Sequence, residues 1–162
     1  MDWDEYCMNM VYTVALKSKD PQTHIGAVIV GPGHEIRSTG FNGLSRGLKE
    51  TEERVTRPEK YYWYEHGERN AIYNASRNGV SLCGCALYTN GIPCADCARG
   101  IIQSGIEVVV VDKAWDIDNS PKWTESAQRS LEMFKEAGVT VRYWSGVVVV
   151  PKFRRGAVVG EK

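Results

Sequence analysis

Two short segments constrain the fold of this chain more than any other feature of its sequence. Residues 66–68 read HGE and residues 93–97 read PCADC. Cys94 and Cys97 are three positions apart, a spacing that places two side chains on one face of a helical turn. With His66 they offer two thiolates and an imidazole, ligands that favour zinc over magnesium or calcium. The chain is therefore expected to fold so that His66, Cys94 and Cys97 meet around one Zn²⁺ ion.

The number of ligands indicates what such an ion would do. Three protein ligands with an open fourth position are typical of catalytic zinc, whereas structural zinc is closed by four ligands. Glu68 is not needed as a ligand and stands two positions from His66, which suits a group that transfers protons beside the metal. A structural site would recruit Cys83 or Cys85, but both lie in a stretch that reads as a strand. A redox dithiol would leave His66 and Glu68 without a role.

The composition is that of one globular domain without a membrane span. The 162 residues suit a single hydrophobic core, and 43% hydrophobic with 25% charged residues is ordinary for a soluble protein. The formal net charge is zero, so there is no basic nucleic-acid footprint, and no apolar run is long enough to cross a bilayer. With no signal peptide, Cys7, Cys83 and Cys85 are expected to stay reduced. The prediction is a cytoplasmic protein.

Hydrophobic periodicity predicts strands that alternate with helices. The predicted helices span 2–19, 66–78, 94–104 and 121–137, and the predicted strands span 25–30, 35–42, 86–89, 107–111 and 139–144. The first two strands suit a hairpin, whereas a helix separates the last two, which should run parallel. The fold class is α/β, a three-layer α/β/α arrangement with a five-stranded mixed sheet. Both metal-binding segments follow strands and begin helices, which predicts a site at the strand ends.

A long polar connection, residues 43–65, interrupts this regular pattern. Connections of that length in compact domains are usually functional or mobile. The aromatic cluster at its end, residues 61–64, fits a wall of the pocket and packing against the core equally well.

The chain is divided into a zinc-dependent domain, residues 1–144, and a C-terminal extension, residues 145–162. Four valines at 147–150 precede proline and cations. This pattern is typical of a β segment whose flanking proline and charged residues protect it from aggregation. The extension is expected to be an added edge strand or a subunit contact. Arg154 and Arg155 are interpreted as solvated surface.

The order HxE and then PCxxC is the signature of zinc-dependent nucleobase deaminases. Over residues 3 to about 143 the chain resembles the deoxycytidylate (dCMP) deaminases of the cytidine deaminase superfamily. The matching segments are 3–6 (WDEY), 18–21 (SKDP), 26–30 (GAVIV), 40–43 (GFNG), 66–72 (HGERNAI), 93–97 (PCADC) and 101–106 (IIQSGI). The zinc motif is common to the superfamily, whereas the part before residue 44 points to the dCMP branch. The resemblance implies a cytidine-deaminase-like fold.

The resemblance also implies an activity, zinc-dependent hydrolytic deamination of dCMP to dUMP and ammonia in pyrimidine deoxynucleotide metabolism. It implies a homo-oligomer, with a hexamer favoured, and allosteric effectors, dCTP as activator and dTTP as inhibitor. The residues expected at the allosteric site are Gly40, Asn42, Gly43 and Arg46. The chain departs from the family there, because Phe41 and Ser45 stand where the family has tyrosine and proline. Beside the metal, Gly67 replaces the usual alanine.

In the mechanism that the resemblance implies, zinc lowers the pKa of its bound water to about 7. The resulting hydroxide attacks C4 of cytosine, while Glu68 carries the proton to ring N3 and to the leaving amine. Asn42 is expected near the sugar, although an Asn-Gly pair also suits an ordinary turn. Trp115 is expected near the substrate, where the family often has a tyrosine. The other residues expected to bind substrate are Ile25, Ala27, Gly67 and Pro93.

A nucleoside monophosphate requires cationic side chains, preferably with planar donors. The candidates are Arg54, Arg57, Lys60 and Lys113, which stand in predicted loops beside the strand ends. Each of them alone also suits solvated surface. His24, which precedes the first strand, is interpreted either as a border of the pocket or as a structural histidine.

Two other functions are compatible with the zinc motif. A polynucleotide deaminase, acting on tRNA adenosine or on single-stranded cytosine, would share the chemistry but would favour a basic face with stacking aromatic residues. Nucleic acid is therefore not an expected partner. A catalytically silent binding module that keeps zinc for stability would not need Glu68. The sequence predicts an enzyme that acts on a small nucleotide.

Overall fold

The computed structural model of the chain describes residues 1–116 and 121–159. The helices are α1 (Trp3–Ala15), α2 (Glu52–Val55), α3 (Lys60–Trp63), α4 (Gly67–Arg77), α5 (Ala95–Gln103), α6 (Lys113–Asp116) and α7 (Pro121–Ala137). The strands are β1 (Gly26–Val30), β2 (Ile36–Phe41), β3 (Gly43–Leu44), β4 (Tyr64–Glu65), β5 (Ala86–Thr89), β6 (Val108–Asp112), β7 (Thr140–Trp144), β8 (Lys152–Arg154) and β9 (Ala157–Val159). Among the helices in the described ranges, none is both long and apolar enough to cross a membrane.

Five strands form one mixed sheet in the order β2-β1-β5-β6-β7. β1 pairs antiparallel with both β2 and β5, whereas β5, β6 and β7 run parallel. Parallel neighbours need crossover connections, and α5 and α7 provide them. The α/β class, the five-stranded mixed sheet and the parallel last pair are therefore confirmed.

Two buried clusters lie on opposite faces of this sheet. Ile29 and Val109 belong to the cluster that packs with α4, α5 and α7. Their neighbours Val28 and Val110 belong to the cluster that packs with α1, because successive residues of a strand point to opposite faces. β1 is buried at every position, as expected for a strand covered on both sides. Helices on both faces make the three layers that the sequence predicted.

Helix α1 ends at Ala15 rather than at the predicted residue 19. Beyond it, Ser18 Oγ donates a hydrogen bond to the carbonyl oxygen of Asn42 at 2.8 Å. The carboxylate of Asp20 accepts the backbone N–H of Gln22 at 2.8 Å. Side chains that bind backbone groups in this way compete with the helix. The chain leaves the helix early and builds a loop beside the start of β1.

The connection at residues 43–65 contains α2, α3 and a short strand pair. In that pair β3 and β4 are antiparallel, with Gly43 opposite Glu65 and Leu44 opposite Tyr64. One-turn helices and two-residue strands leave no periodic signal in a sequence, so only a long connection could be predicted. The pairing brings the end of the connection back to β2 and fixes where α4 begins.

In its described part, residues 145–159, the C-terminal extension does not continue the main sheet as an edge strand. β8 and β9 pair antiparallel as a separate C-terminal hairpin, residues 152–159. Val148 and Val150 pack against the α1 cluster, and Phe153 O accepts the backbone N–H of His24 at 3.1 Å. The extension therefore folds back over the loop that follows α1.

Candidate active site

The three predicted metal ligands lie together at the start of two helices. His66 immediately precedes α4, Cys94 immediately precedes α5, and Cys97 lies in the first turn of α5. Their ligand atoms are all within 4.8 Å of one another. His66 Nδ1 lies 3.4 Å from Cys94 Sγ and 3.6 Å from Cys97 Sγ. Tetrahedral zinc bonded to nitrogen and sulfur would hold such atoms about 3.5 Å apart, so the donor set fits one zinc ion.

The two thiols differ in protonation before a metal binds. The hydrogen bond with Cys97 and the neighbouring His66 lower the pKa of Cys94 to about 4, so this thiol is ionised at neutral pH. A helix N-terminus, here that of α5, also stabilises a thiolate. Cys97 keeps its proton, because its hydrogen bond with Cys94 and its burial raise its pKa. It gives up that proton when a metal binds.

Glu68 is the second residue of α4 and is only 5% exposed. Its Oε2 lies 3.6 Å from Cys97 Sγ, although Glu68 does not belong to the group of three ligands. Burial raises the pKa of this carboxyl group. A raised pKa suits a carboxyl group that must accept a proton and then release it.

Arg69, which the sequence analysis did not single out, lies against the metal ligands. Its Nη1 is 3.8 Å from Cys97 Sγ, and its Nε donates to Glu65 Oε1 at 2.5 Å. A cation at this distance stabilises the negative charge of thiolate ligands. Its position directly after Glu68, in the same helical turn, is the sequence signal that indicates a cation beside the metal ligands.

A cleft of about 340 Å³ opens over His66, Glu68 and Cys94. This volume is in the range of small-molecule sites. The predicted substrate and phosphate residues that line it are Ile25, Asn42, Arg57, Lys60 and Trp115. Those that do not line it are Ala27, Gly67, Pro93, Arg54 and Lys113, and the predicted allosteric residues Gly40, Gly43 and Arg46 lie outside it as well.

Two of the predicted residues outside the cleft take part in packing close to it. The guanidinium of Arg54 stacks 3.9 Å from the centre of the Trp63 ring and donates to Lys49 O at 2.9 Å. At Gly67, an added Cβ would lie 3.1 Å from Ile25 O. The glycine that stands in place of the family alanine therefore lets α4 approach the start of β1 closely.

Asn42 lines the cleft with an amide that is already engaged in hydrogen bonds. Oδ1 accepts the backbone N–H of Ile25 at 2.8 Å. Nδ2 donates to Thr23 O at 2.9 Å and to Asp20 Oδ2 at 3.3 Å. The amide thus connects Ile25, which leads into β1, to Thr23 and Asp20 in the preceding loop. The expected contact of Asn42 with a sugar stays a prediction.

Lys60 and Asp20 form a buried ion pair in the wall of the cleft. Lys60 Nζ lies 2.7 and 3.0 Å from the two carboxylate oxygens of Asp20, and the two residues are 6% and 3% exposed. The charge of Lys60 is therefore balanced inside the protein rather than presented to a ligand.

Lys60→Ala is expected to lower the free energy of unfolding by about 3 kcal/mol, because it leaves the carboxylate of Asp20 buried without a counter-charge. Urea denaturation would measure the change. Lys113→Ala is the control, since Lys113 is exposed, and it should alter the free energy of unfolding by less than about 0.5 kcal/mol. Equal stability of Lys60→Ala and the unmodified protein would show that the ion pair does not hold this wall together.

The aromatic cluster at residues 61–64 supplies part of the predicted pocket wall. Tyr61 and Tyr64 line the cleft. Trp63 lies under the guanidinium of Arg54 and does not belong to either described core cluster.

Two tryptophans form another part of the lining. Trp115, in α6, is 7% exposed, and Trp123, in α7, has its ring 6.0 Å from that of His66. Trp115 was predicted through the family resemblance. Trp123 was not, because an apolar residue near the start of an amphipathic helix reads as core.

Arg154 and Arg155 also line the cleft, although the sequence suggested solvated surface. Arg154 Nη1 donates to Trp115 O at 3.0 Å, and its guanidinium lies 4.8 Å from the centre of the Trp115 ring. Nothing in the local sequence indicates that the tail returns to this cleft, so these two residues could not be identified beforehand.

Comparison with known proteins connects this site to a family. The Cytidine and deoxycytidylate deaminase zinc-binding region matches residues 1–113. An uncharacterized deaminase in the luxG 3′ region of Aliivibrio fischeri is 38% identical over 141 residues, which cover 87% of this chain and 92% of the relative. The deoxycytidylate deaminase of Homo sapiens is 36% identical over 152 residues, which cover 88% of this chain and 79% of the relative.

Solved structures share the fold. The dCMP deaminase from the cyanophage S-TIM5, in complex with dCMP and dUMP, has a TM-score of 0.69 at 24% identity, with 86% of this chain and 95% of that one covered. A structure from studies of A-to-I editing by tRNA:A34 deaminases has a TM-score of 0.55 at 20% identity, with 87% and 91% covered. At these identities the likeness concerns the fold, which hosts more than one activity.

Proposed function

This chain belongs to the cytidine and deoxycytidylate deaminase family, and we propose that it hydrolyses dCMP to dUMP and ammonia. The observation that carries this proposal is the meeting of His66, Cys94 and Cys97 beside the buried Glu68, at one wall of a cleft. Relatives named deoxycytidylate deaminase match most of the chain. The family resemblance predicted from the sequence is confirmed, and the chain is a zinc-dependent deaminase.

The residues of the site divide the chemistry between them. His66, Cys94 and Cys97 would hold the zinc ion, which would supply the Lewis acidity that activates a water molecule for attack. The carboxylate of Glu68 accepts the proton of the attacking water. The same carboxyl group then gives this proton to N3 of the cytosine ring. It next takes the proton of the hydroxyl group that has added to C4 and passes it to the 4-amino group, which leaves as ammonia while C4 becomes a carbonyl. The raised pKa of Glu68 helps it to hold the proton between these transfers.

The lining of the cleft is suited to bind a flat base with an attached sugar. The rings of Trp115 and Trp123 offer apolar surface in the cleft, and that of Trp123 lies 6.0 Å from the ring of His66. Ile25 and Asn42 lie on the lining beside the start of β1. We keep Ile25, Asn42 and Trp115 as substrate contacts. The other predicted substrate residues, Ala27, Gly67 and Pro93, would act through their neighbours, since they do not line the cleft.

A panel of substrates tests the proposed function. Ammonia release from dCMP, CMP, dCTP, deoxycytidine and 5-substituted dCMP would be measured with the purified, zinc-containing protein, and dCMP should have the highest kcat/KM. Inosine formation in tRNA would instead assign the chain to the polynucleotide deaminases. Full zinc content without ammonia release from any cytosine nucleotide would indicate a binding module.

We also propose a homo-oligomer, a hexamer by family resemblance, with dCTP and dTTP as effectors that act through Gly40, Asn42, Gly43 and Arg46. Two of these residues contact α4, the helix that carries Glu68. An added Cβ at Gly40 would lie 2.2 Å from the backbone nitrogen of Ala71. Arg46 Nη2 donates to Asn74 Oδ1 at 2.5 Å. These contacts support an effect of the region on α4. The C-terminal extension stays a predicted subunit contact.

Initial rates measured against dCMP are expected to give a sigmoidal curve that dCTP makes hyperbolic and dTTP shifts to higher dCMP concentration. Arg46→Ala should weaken both responses while the rate at saturating dCMP stays within about two-fold of the original, since Arg46 lies outside the cleft. Hyperbolic rates that ignore both nucleotides would reject regulation and leave any oligomer with a structural role only.

We propose that the protein acts in the cytoplasm, where nucleotide metabolism supplies dCMP. All five cysteines are free thiols, which supports a reducing compartment.

A further inference from the structure

Three arginines reach the cleft from two distant parts of the chain. Arg57 comes from the connection between α2 and α3, and Arg154 and Arg155 come from the C-terminal hairpin. Among the described residues of the lining, the carboxylates are those of Asp20, which is paired with Lys60, and of Glu68. The described lining therefore contains more cationic than anionic side chains, although the formal net charge of the chain is zero.

The hairpin that carries two of these arginines is anchored through its first strand and through its turn. From β8, Lys152 Nζ lies 2.6 Å from Oδ2 of Asp112, a residue that is 1% exposed. From the turn, the backbone N–H of Gly156 donates to Gln22 O at 2.8 Å. Contacts of this kind hold the turn of the hairpin over the loop that borders the cleft, so the position of the two arginines is determined by the fold.

Arg155 occupies a backbone conformation that costs an arginine free energy. Its φ is 54° and that of Gly156 is 79°. Positive φ at both central residues of a two-residue hairpin loop is the mark of a type I′ turn, which favours asparagine, aspartate or glycine. Left-handed backbone at a residue with a long side chain is uncommon, and such outliers occur preferentially at functional sites.

We infer that Arg155, together with Arg57 and Arg154, binds the 5′-phosphate of the substrate, so that the C-terminal hairpin selects a nucleoside monophosphate over the free nucleoside. This inference rests on the proposed deaminase function and names the part of the substrate that the hairpin recognises. A guanidinium is planar and donates to two phosphate oxygens at once. The stack of Arg154 on Trp115 fixes the direction of one such group beside a residue expected to contact the base.

The other cations predicted to bind phosphate are less suited to it. Lys60 is held by the buried carboxylate of Asp20, and Arg54 and Lys113 do not line the cleft. Arg57 is therefore the one member of that predicted set whose side chain lines the cleft without a buried counter-ion among its described contacts. Its guanidinium lies 5.9 Å from the ring of Tyr61.

The test removes the guanidinium of Arg155 without disturbing its turn. Arg155→Asn introduces a residue that a type I′ turn accepts, so the hairpin should stay folded. The ratio of kcat/KM for dCMP to kcat/KM for deoxycytidine should fall about 10- to 100-fold, as expected for the loss of one charge-assisted contact. Arg57→Gln should lower the same ratio. Arg77→Gln, which changes an exposed residue of α4, should leave the ratio unaltered.

Equilibrium binding supplies a readout that does not depend on turnover. Tryptophan fluorescence would follow the binding of dUMP and of deoxyuridine, and the unmodified protein should bind dUMP more tightly. Arg155→Asn should remove most of that preference while the melting temperature is kept.

Two results would overturn the inference. One is a dCMP-to-deoxycytidine ratio that is unchanged in both Arg155→Asn and Arg57→Gln, and the other is an equal loss with both substrates. If the unmodified protein released no ammonia from dCMP, the proposed function would fail, but the preference for dUMP over deoxyuridine would still decide whether the arginines form a phosphate site.

Discussion

Glu68→Gln is expected to lower kcat for dCMP by about 10²- to 10⁴-fold, the usual contribution of a general acid–base group, while the protein keeps its zinc. The amide has nearly the shape of the carboxylate, so the packing around this buried position should persist. It cannot take up the proton of the attacking water, and it cannot pass a proton to the ring nitrogen. Stopped assays for ammonia, combined with metal analysis of the same sample, would measure both quantities.

The control for this variant is Glu132→Gln, because Glu132 lies exposed on α7 and has no assigned role in binding or catalysis. It should retain full activity. Loss of zinc together with activity in Glu68→Gln would place Glu68 among the metal ligands, and a kcat within a few-fold of the original would remove it from the proton transfers.

Cys97→Ser is expected to lose both the bound zinc and much of the stability of the domain. Cys97 is completely buried, and a serine hydroxyl is a poor replacement for a thiolate on zinc. An ion present at about 1,000 times its dissociation constant stabilises the folded state by about 4 kcal/mol, and the variant should forfeit that contribution. Metal analysis and thermal unfolding would show the two losses together.

Cys83→Ser is the matched comparison, since Cys83 is an exposed thiol outside the ligand group. It should keep its zinc and its melting temperature. Treatment with a chelator should bring the unmodified protein and Cys83→Ser close to the stability of Cys97→Ser, which itself should not respond. Loss of zinc from Cys83→Ser would reveal a fourth protein ligand and a structural site.

The metal ligands could be predicted from the sequence because their chemistry and their spacing are local properties. A CxxC pair at the start of a helix places both thiols on one side whatever the rest of the chain does. His66 and Glu68 are only two positions apart, so both lie at the start of one helix. The sheet could be predicted for a similar reason, since strands such as β1 and β6 are continuous apolar runs bounded by turns.

The state of the cations around the cleft could not be predicted, because it depends on contacts far away in the sequence. From the sequence, Lys60 is expected to be a loop cation that can face a ligand. In the structure its ammonium group is instead paired with the carboxylate of Asp20, 40 positions earlier in the chain. Arg155 reads as tail, and the return of the tail becomes evident only from long-range contacts such as the hydrogen bond between Gly156 and Gln22. The early end of α1 at Ala15 has the same origin, in side chains that bind backbone groups rather than in helix propensity.

The C-terminal hairpin also bears on how the protein is assembled during synthesis. Ribosomes produce chains from the N-terminus at about 5–20 residues per second, so His66, Cys94 and Cys97 emerge before Arg154 and Arg155. A nascent chain therefore holds every zinc ligand while one side of its cleft is still missing. The hairpin is the last described element to leave the ribosome, and a chain released before residue 152 would carry the metal ligands next to a cleft that lacks both tail arginines.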